Sequence, residues 1–94
     1  MKVKVKLLGM PGLLQNFEGE KEVQVDFTGN TIKDLLYHLC LGIEPEKKGF
    51  FVDDQGEISP MLFVMVNGNP LDYSNRSRQP LREGDLIELA IVPG

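Results

Sequence analysis

Apolar and polar residues alternate strictly at the start of the chain, with Val3, Val5 and Leu7 standing between Lys2, Lys4 and Lys6. A period of two sends the two sets to opposite faces, so the segment predicts a half-buried strand with an outward row of lysines. Residues 9–19, with Pro11 and Gly12, break the alternation and predict a loop. It then returns, with Val23, Val25 and Phe27 apolar and Glu22, Gln24 and Asp26 polar. Paired antiparallel, the two strands would set the lysine row against an acidic row on one outer, solvated face.

The period changes after Gly29-Asn30. Ile32, Leu35, Leu36, Leu39 and Cys40 fall at i, i+3, i+4, i+7 and i+8, one continuous stripe on a helix. Thr31 followed by Asp34 predicts a capped start, the hydroxyl accepting from an orphan amide of the first turn. Gly42 is expected to close the helix in a left-handed cap. His38 follows Asp34 by four residues on the polar side and predicts a solvated pair. Cys40 belongs to the apolar stripe and predicts a buried, unreactive thiol.

Residues 43–59 read as irregular, with Pro45, Gly49 and a turn at Asp53-Asp54-Gln55-Gly56. Phe50, Phe51 and Val52 are expected to cover one end of the core. Residues 61–66 are apolar throughout, as suits a central strand, and Asn67-Gly68 is a strong turn signal. Residues 71–79 are polar and loop-like. Pro80-Leu81-Arg82-Glu83-Gly84-Asp85 turns into a last strand over 86–92, with Ile87, Leu89 and Ile91 inward and Leu86, Glu88 and Ala90 outward.

Ninety-four residues make one small domain, and 41% hydrophobic with 26% charged residues is enough apolar material for a packed core. A net charge of −4 argues against a nucleic-acid partner, which needs clustered Lys and Arg to displace counterions. No apolar run approaches a membrane span. Cys40, the single cysteine, excludes an intramolecular disulfide and a cysteine-held cluster, and a reducing cytoplasm is expected. Asp53, Asp54 and Glu57 lack calcium-loop spacing and predict a turn, and His38 has no second histidine or nucleophile in register. Scattered loop charges are the expectation for Arg76, Arg78 and Arg82. No metal site and no catalytic group is expected.

The order strand, strand, helix, strand, final strand predicts an α+β, ubiquitin-like β-grasp domain over 1–94. Its mixed sheet of four to five strands would carry one main helix on one face, with the first and last strands adjacent and parallel. The chain also resembles the ThiS/MoaD family of sulfur-carrier proteins. The resemblance rests on Val3-Lys4-Val5-Lys6-Leu7-Leu8, Gly29-Asn30-Thr31-Ile32-Lys33-Asp34-Leu35-Leu36, Val64-Met65-Val66-Asn67-Gly68 and Leu81-Arg82-Glu83-Gly84-Asp85-Leu86-Ile87-Glu88-Leu89. These motifs run from the first strand to the last. The long 43–58 stretch looks more like the molybdopterin branch than the thiamine branch.

The resemblance implies that the chain is a protein substrate rather than an enzyme and binds no cofactor itself. A partner adenylating enzyme would use ATP and magnesium to activate the carboxylate of Gly94, and sulfur would then replace AMP to give a thiocarboxylate. A synthase subunit is a possible second partner. Val92 and Pro93 would line the partner's channel, while Phe63, Met65 and Ala90 would form the partner-binding surface. The chain departs from the family in its tail, which is Val92-Pro93-Gly94 in place of a Gly-Gly ending and about two residues shorter. Pro93 fixes its own φ and lacks an amide donor, whereas glycine leaves the backbone free. Three readings therefore stay open. They are a sulfur carrier, a non-conjugated β-grasp interaction module, and a modifier joined to lysines through the same carboxylate.

Overall fold

The computed structural model describes residues 1–8, 22–42, 45–71 and 79–91. Strand β1 (Lys2–Leu8) pairs antiparallel with β2 (Val23–Asp26), placing Lys2 opposite Asp26 and Lys4 opposite Gln24. Helix α1 (Ile32–Cys40) follows, then a 3-10 turn (Pro45–Phe50), β3 (Leu62–Val66), the two-residue β4 (Asn69–Pro70) and β5 (Leu86–Ile91). The strands lie in the order β2-β1-β5-β3-β4. As expected, β1 and β5 are adjacent and parallel; β5 also pairs antiparallel with β3.

One face of this sheet carries the core. Val3, Val5 and Leu7 of β1, Leu62, Val64 and Val66 of β3, and Ile87 and Leu89 of β5 are all buried against Ile32, Leu35, Leu36, Leu39 and Cys40 of α1. The period of two in the strands and the i, i+3, i+4 stripe in the helix thus meet in one layer. Burial pushes the Cys40 thiol pKa up, as suits an unreactive sulfur. Phe51 is fully buried and Val52 packs at the margin, but Phe50 remains 36% exposed, so only part of the expected aromatic cover forms.

The start of α1 has the predicted chemistry. The Asp34 amide donates to Thr31 Oγ1 (3.2 Å), and Asp34 Oδ2 accepts from the amides of Asn30 (3.1 Å) and Thr31 (3.3 Å), a reciprocal capping box. Those bonds, the one from Asn30 first, hold the Asp34 carboxyl below its usual range. With its carboxylate so engaged, Asp34 makes no ion pair with His38 among the described residues, contrary to expectation. The helix end also differs from the expected left-handed cap. Gly42 is not in the left-handed region, and Leu41 and Gly42 donate to the carbonyls of His38 and Leu39, tightening the last turn instead.

The turn at 53–56 is built as predicted. Asp53 Oδ1 accepts from the amides of Gln55 and Glu57, both at 2.9 Å, and Val52 and Ile58 close an antiparallel bridge. The turn is tied to α1 by the Tyr37 hydroxyl, which donates to the Gly56 carbonyl at 2.8 Å, and by Lys33 Nζ to Glu57 Oε1 at 3.5 Å. Gly56 has φ +79, and a Cβ there would collide with the Tyr37 hydroxyl.

Candidate functional site: the open sheet face

The sheet face away from α1 has no helix over it among the described elements, and strand register sets what it displays. Phe63 of β3 lies opposite Ala90 of β5, and Ala90 lies opposite Leu8 of β1. One apolar row therefore crosses three adjacent strands. The next row runs Met65, Glu88, Lys6, and the next pairs Leu86 with Lys4. Phe63 is 39% exposed, Met65, Ala90 and Leu8 are half-buried, and Met61, just before β3, is exposed at the same parity. The face is thus apolar where β5 ends and charged where Lys2 meets Asp26.

The three residues predicted for a partner surface are brought together here. Phe63 and Met65 point outward because Leu62, Val64 and Val66 occupy the core side of β3. Leu8 and Met61 extend the patch and were not anticipated. The parity that sends Lys2, Lys4 and Lys6 outward also sends Leu8 outward, so the signal was present in the sequence.

Gly94, Val92 and Pro93 lie outside the described residues, as do Arg76, Arg78 and the loop predicted over 9–19. The last described position is Ile91, at the end of β5. Arg82 is exposed, and its amide donates to Asp85 Oδ2 at 2.9 Å.

Elsewhere, the described residues offer little reactive chemistry. An open cleft on the outer side of α1 is lined by Thr28, Asp34, Tyr37, His38 and Leu41, and it contains no cysteine or serine nucleophile. Among the described residues, no three His, Cys, Asp or Glu side chains converge as a metal site would require. No described helix is long and apolar enough to cross a membrane.

Among the described elements, a five-stranded mixed sheet with parallel neighbouring β1 and β5 and one α-helix packed on one face defines the ubiquitin-like β-grasp class. Solved structures of that class match the chain over nearly its whole length. The solution structure of Urm1 from Trypanosoma brucei has a TM-score of 0.71 at 21% identity, covering 98% of this chain and 92% of that one. The solution structure of the Haloferax volcanii HVO 2177 protein has a TM-score of 0.74 at 19% identity, covering 100% and 85%. The crystal structure of H. volcanii small archaeal modifier protein 1 gives 0.70 at 22% identity, covering 98% of each chain. At these identities the likeness is one of fold, and it is the fold that the ThiS/MoaD resemblance implied. No protein-family model and no curated protein matches the sequence.

Proposed function

We propose that this chain is a ubiquitin-like sulfur carrier, a protein substrate rather than an enzyme, whose working group is the Gly94 carboxylate. The observation that supports this reading is the Leu8–Ala90–Phe63 row on the open face, because Ala90 lies on the strand that leads into the tail. Gly94 lies four residue steps beyond Ala90, an extended reach of roughly 13 Å. A partner gripping that row would receive the carboxylate within this radius.

The chemistry is supplied by a partner adenylating enzyme holding ATP and magnesium. A Gly94 carboxylate oxygen attacks the α-phosphorus and expels pyrophosphate, giving an acyl-adenylate. A sulfide-equivalent nucleophile then attacks the acyl carbon and expels AMP, leaving the thiocarboxylate. Val92 and Pro93 line the channel that admits the tail, and Pro93 narrows the conformations they must lose on entry. A synthase subunit then takes the sulfur for cofactor assembly in the cytoplasm. The length of 43–58 favours the molybdopterin-type pathway over the thiamine type.

The test is ATP–pyrophosphate exchange by the cognate adenylating enzyme with the full chain and with a chain lacking Gly94. Exchange is expected only with the full chain; equal exchange with both would remove the carboxylate from the account. A second reading is favoured by Pro93 standing where the family has glycine: an interaction module without acyl chemistry. On that reading, deleting Gly94 changes nothing, while Phe63→Asp or Met65→Asp abolishes partner binding. Conjugation to lysines would draw on the same activated carboxylate and stands or falls with it.

A further inference from the structure

Asn67 and Gly68 form the two-residue turn between β3 and β4, where Val66 lies opposite Asn69. Both have positive φ, +52 and +84, the mirror-image turn for which Asn-Gly is the favoured pair. Asn-Gly is also the dipeptide most open to self-inflicted chemistry, because an unhindered glycine nitrogen can attack the asparagine side chain. Exposed asparagine is a thermolabile residue for this kind of reason.

Here the side chain is held at both ends. Asn67 Oδ1 accepts from the Leu86 amide at 2.9 Å, and Nδ2 donates to Asp85 Oδ1 at 3.0 Å. The backbone amide of Asn67 donates to the Leu86 carbonyl at 2.7 Å. Asp85 is itself fixed, its Oδ2 accepting from the Arg82 amide. A carboxamide tied this way cannot swing its Cγ toward the Gly68 nitrogen without releasing both bonds to the start of β5.

We propose that Asn67 is a deamidation site guarded by the native fold, and that its conversion is structurally one-way. In the reaction the Gly68 nitrogen bonds to Asn67 Cγ and loses its proton, while Nδ2 leaves as ammonia. Water then opens the resulting succinimide at either carbonyl, giving aspartate or isoaspartate. The aspartate product has no donor for Asp85 and sets a second carboxylate against it, where like charges repel. The isoaspartate product adds a methylene to the backbone of a two-residue turn that fixes the β3–β4 register. The aspartate product keeps an acceptor for the Leu86 amide but loses the Asp85 half of the clasp, and the isoaspartate product displaces both halves.

Peptide mapping tests the proposal after incubation in mildly alkaline buffer, reading the NH2-to-OH mass gain and isoaspartate at residue 67. The native chain should convert at least about tenfold more slowly than the same chain in denaturant, because reaction must await local opening. Asp85→Ala should convert faster than Val25→Ala, a core truncation at the opposite edge of the sheet, when the two are compared at equal distance below their melting temperatures. N67D should melt below the parent chain. Equal rates for native and denatured chain, equal rates for the two variants, or an unchanged melting temperature for N67D would each overturn it.

Discussion

Phe63 and Val64 are neighbours in sequence on opposite faces of β3, so an aspartate at each separates a docking surface from a core. Phe63 is 39% exposed and Val64 1%. On a side chain of roughly 200 Å², that leaves about 120 Å² of Phe63 covered by its own chain and about 80 Å² open to a partner. At about 25 cal/mol per Å², Phe63→Asp lowers fold stability by at most about 3 kcal/mol, an upper bound because the unfolded chain already shields part of that area. The same change removes about 2 kcal/mol of burial against a partner, roughly a thirtyfold loss of affinity, before the new carboxylate's desolvation is counted. Val64→Asp instead drives an unpaired carboxylate into the core. Several kcal/mol for the ion plus about 2 for the lost valine is comparable with the whole stability of a small domain, about 5–10 kcal/mol. Thermal unfolding followed by circular dichroism, with titration against the adenylating enzyme, separates the two. Phe63→Asp should fold and bind at least thirtyfold more weakly (about 2 kcal/mol), while Val64→Asp should not fold. Phe63→Asp unfolding as Val64→Asp does, or binding like the parent chain, would refute the reasoning.

Thr31→Ala removes the N-cap acceptor and should cost about 1 kcal/mol, lowering the melting temperature by roughly 4–8 °C in a calorimetric scan. Asp34 carries a pH signature. Its folded pKa lies below its ordinary value of 3.8, so its stabilisation is complete above that value and is lost as pH falls through the folded pKa. Melting curves taken downward from neutral pH should therefore fall less steeply for Asp34→Asn than for the parent chain. Tyr37→Phe should lose about 1 kcal/mol with the bond to the Gly56 carbonyl. Gly56→Ala should lose more, since it combines an unfavourable φ with a collision against the same hydroxyl; equal losses in denaturant titrations would contradict that geometry.

The sequence was most legible where one period ran long enough to set a face. Three lysines between three apolar residues fixed the parity of β1, and the stripe from Ile32 to Cys40 fixed the buried side of α1. The uniformly apolar run before Asn67 hid which residues faced the core, and pairing with β5 resolved it by burying Leu62, Val64 and Val66. β4 has only two residues, one a proline without a ladder donor, so no periodicity could announce it. The helix end departs from the predicted left-handed cap because Leu41 stays right-handed and two tightened bonds finish the helix. Asp34 was assigned to His38 by spacing, but the amides of Asn30 and Thr31 lie within hydrogen-bond reach and hold it. Of the triad Phe63, Met65 and Ala90, only Ala90 followed from strand parity; the outward side of β3 came with its pairing to β5, and the adjacency of Ala90 to the outward Leu8 with the β1–β5 register.

Intact-mass analysis after incubation with the cognate adenylating enzyme, ATP, magnesium and a sulfur donor reaches the central claim most directly. The account predicts replacement of one oxygen by sulfur, localised by fragmentation to Gly94. An unchanged mass, while a Gly-Gly carrier is converted in the same reaction, would contradict it.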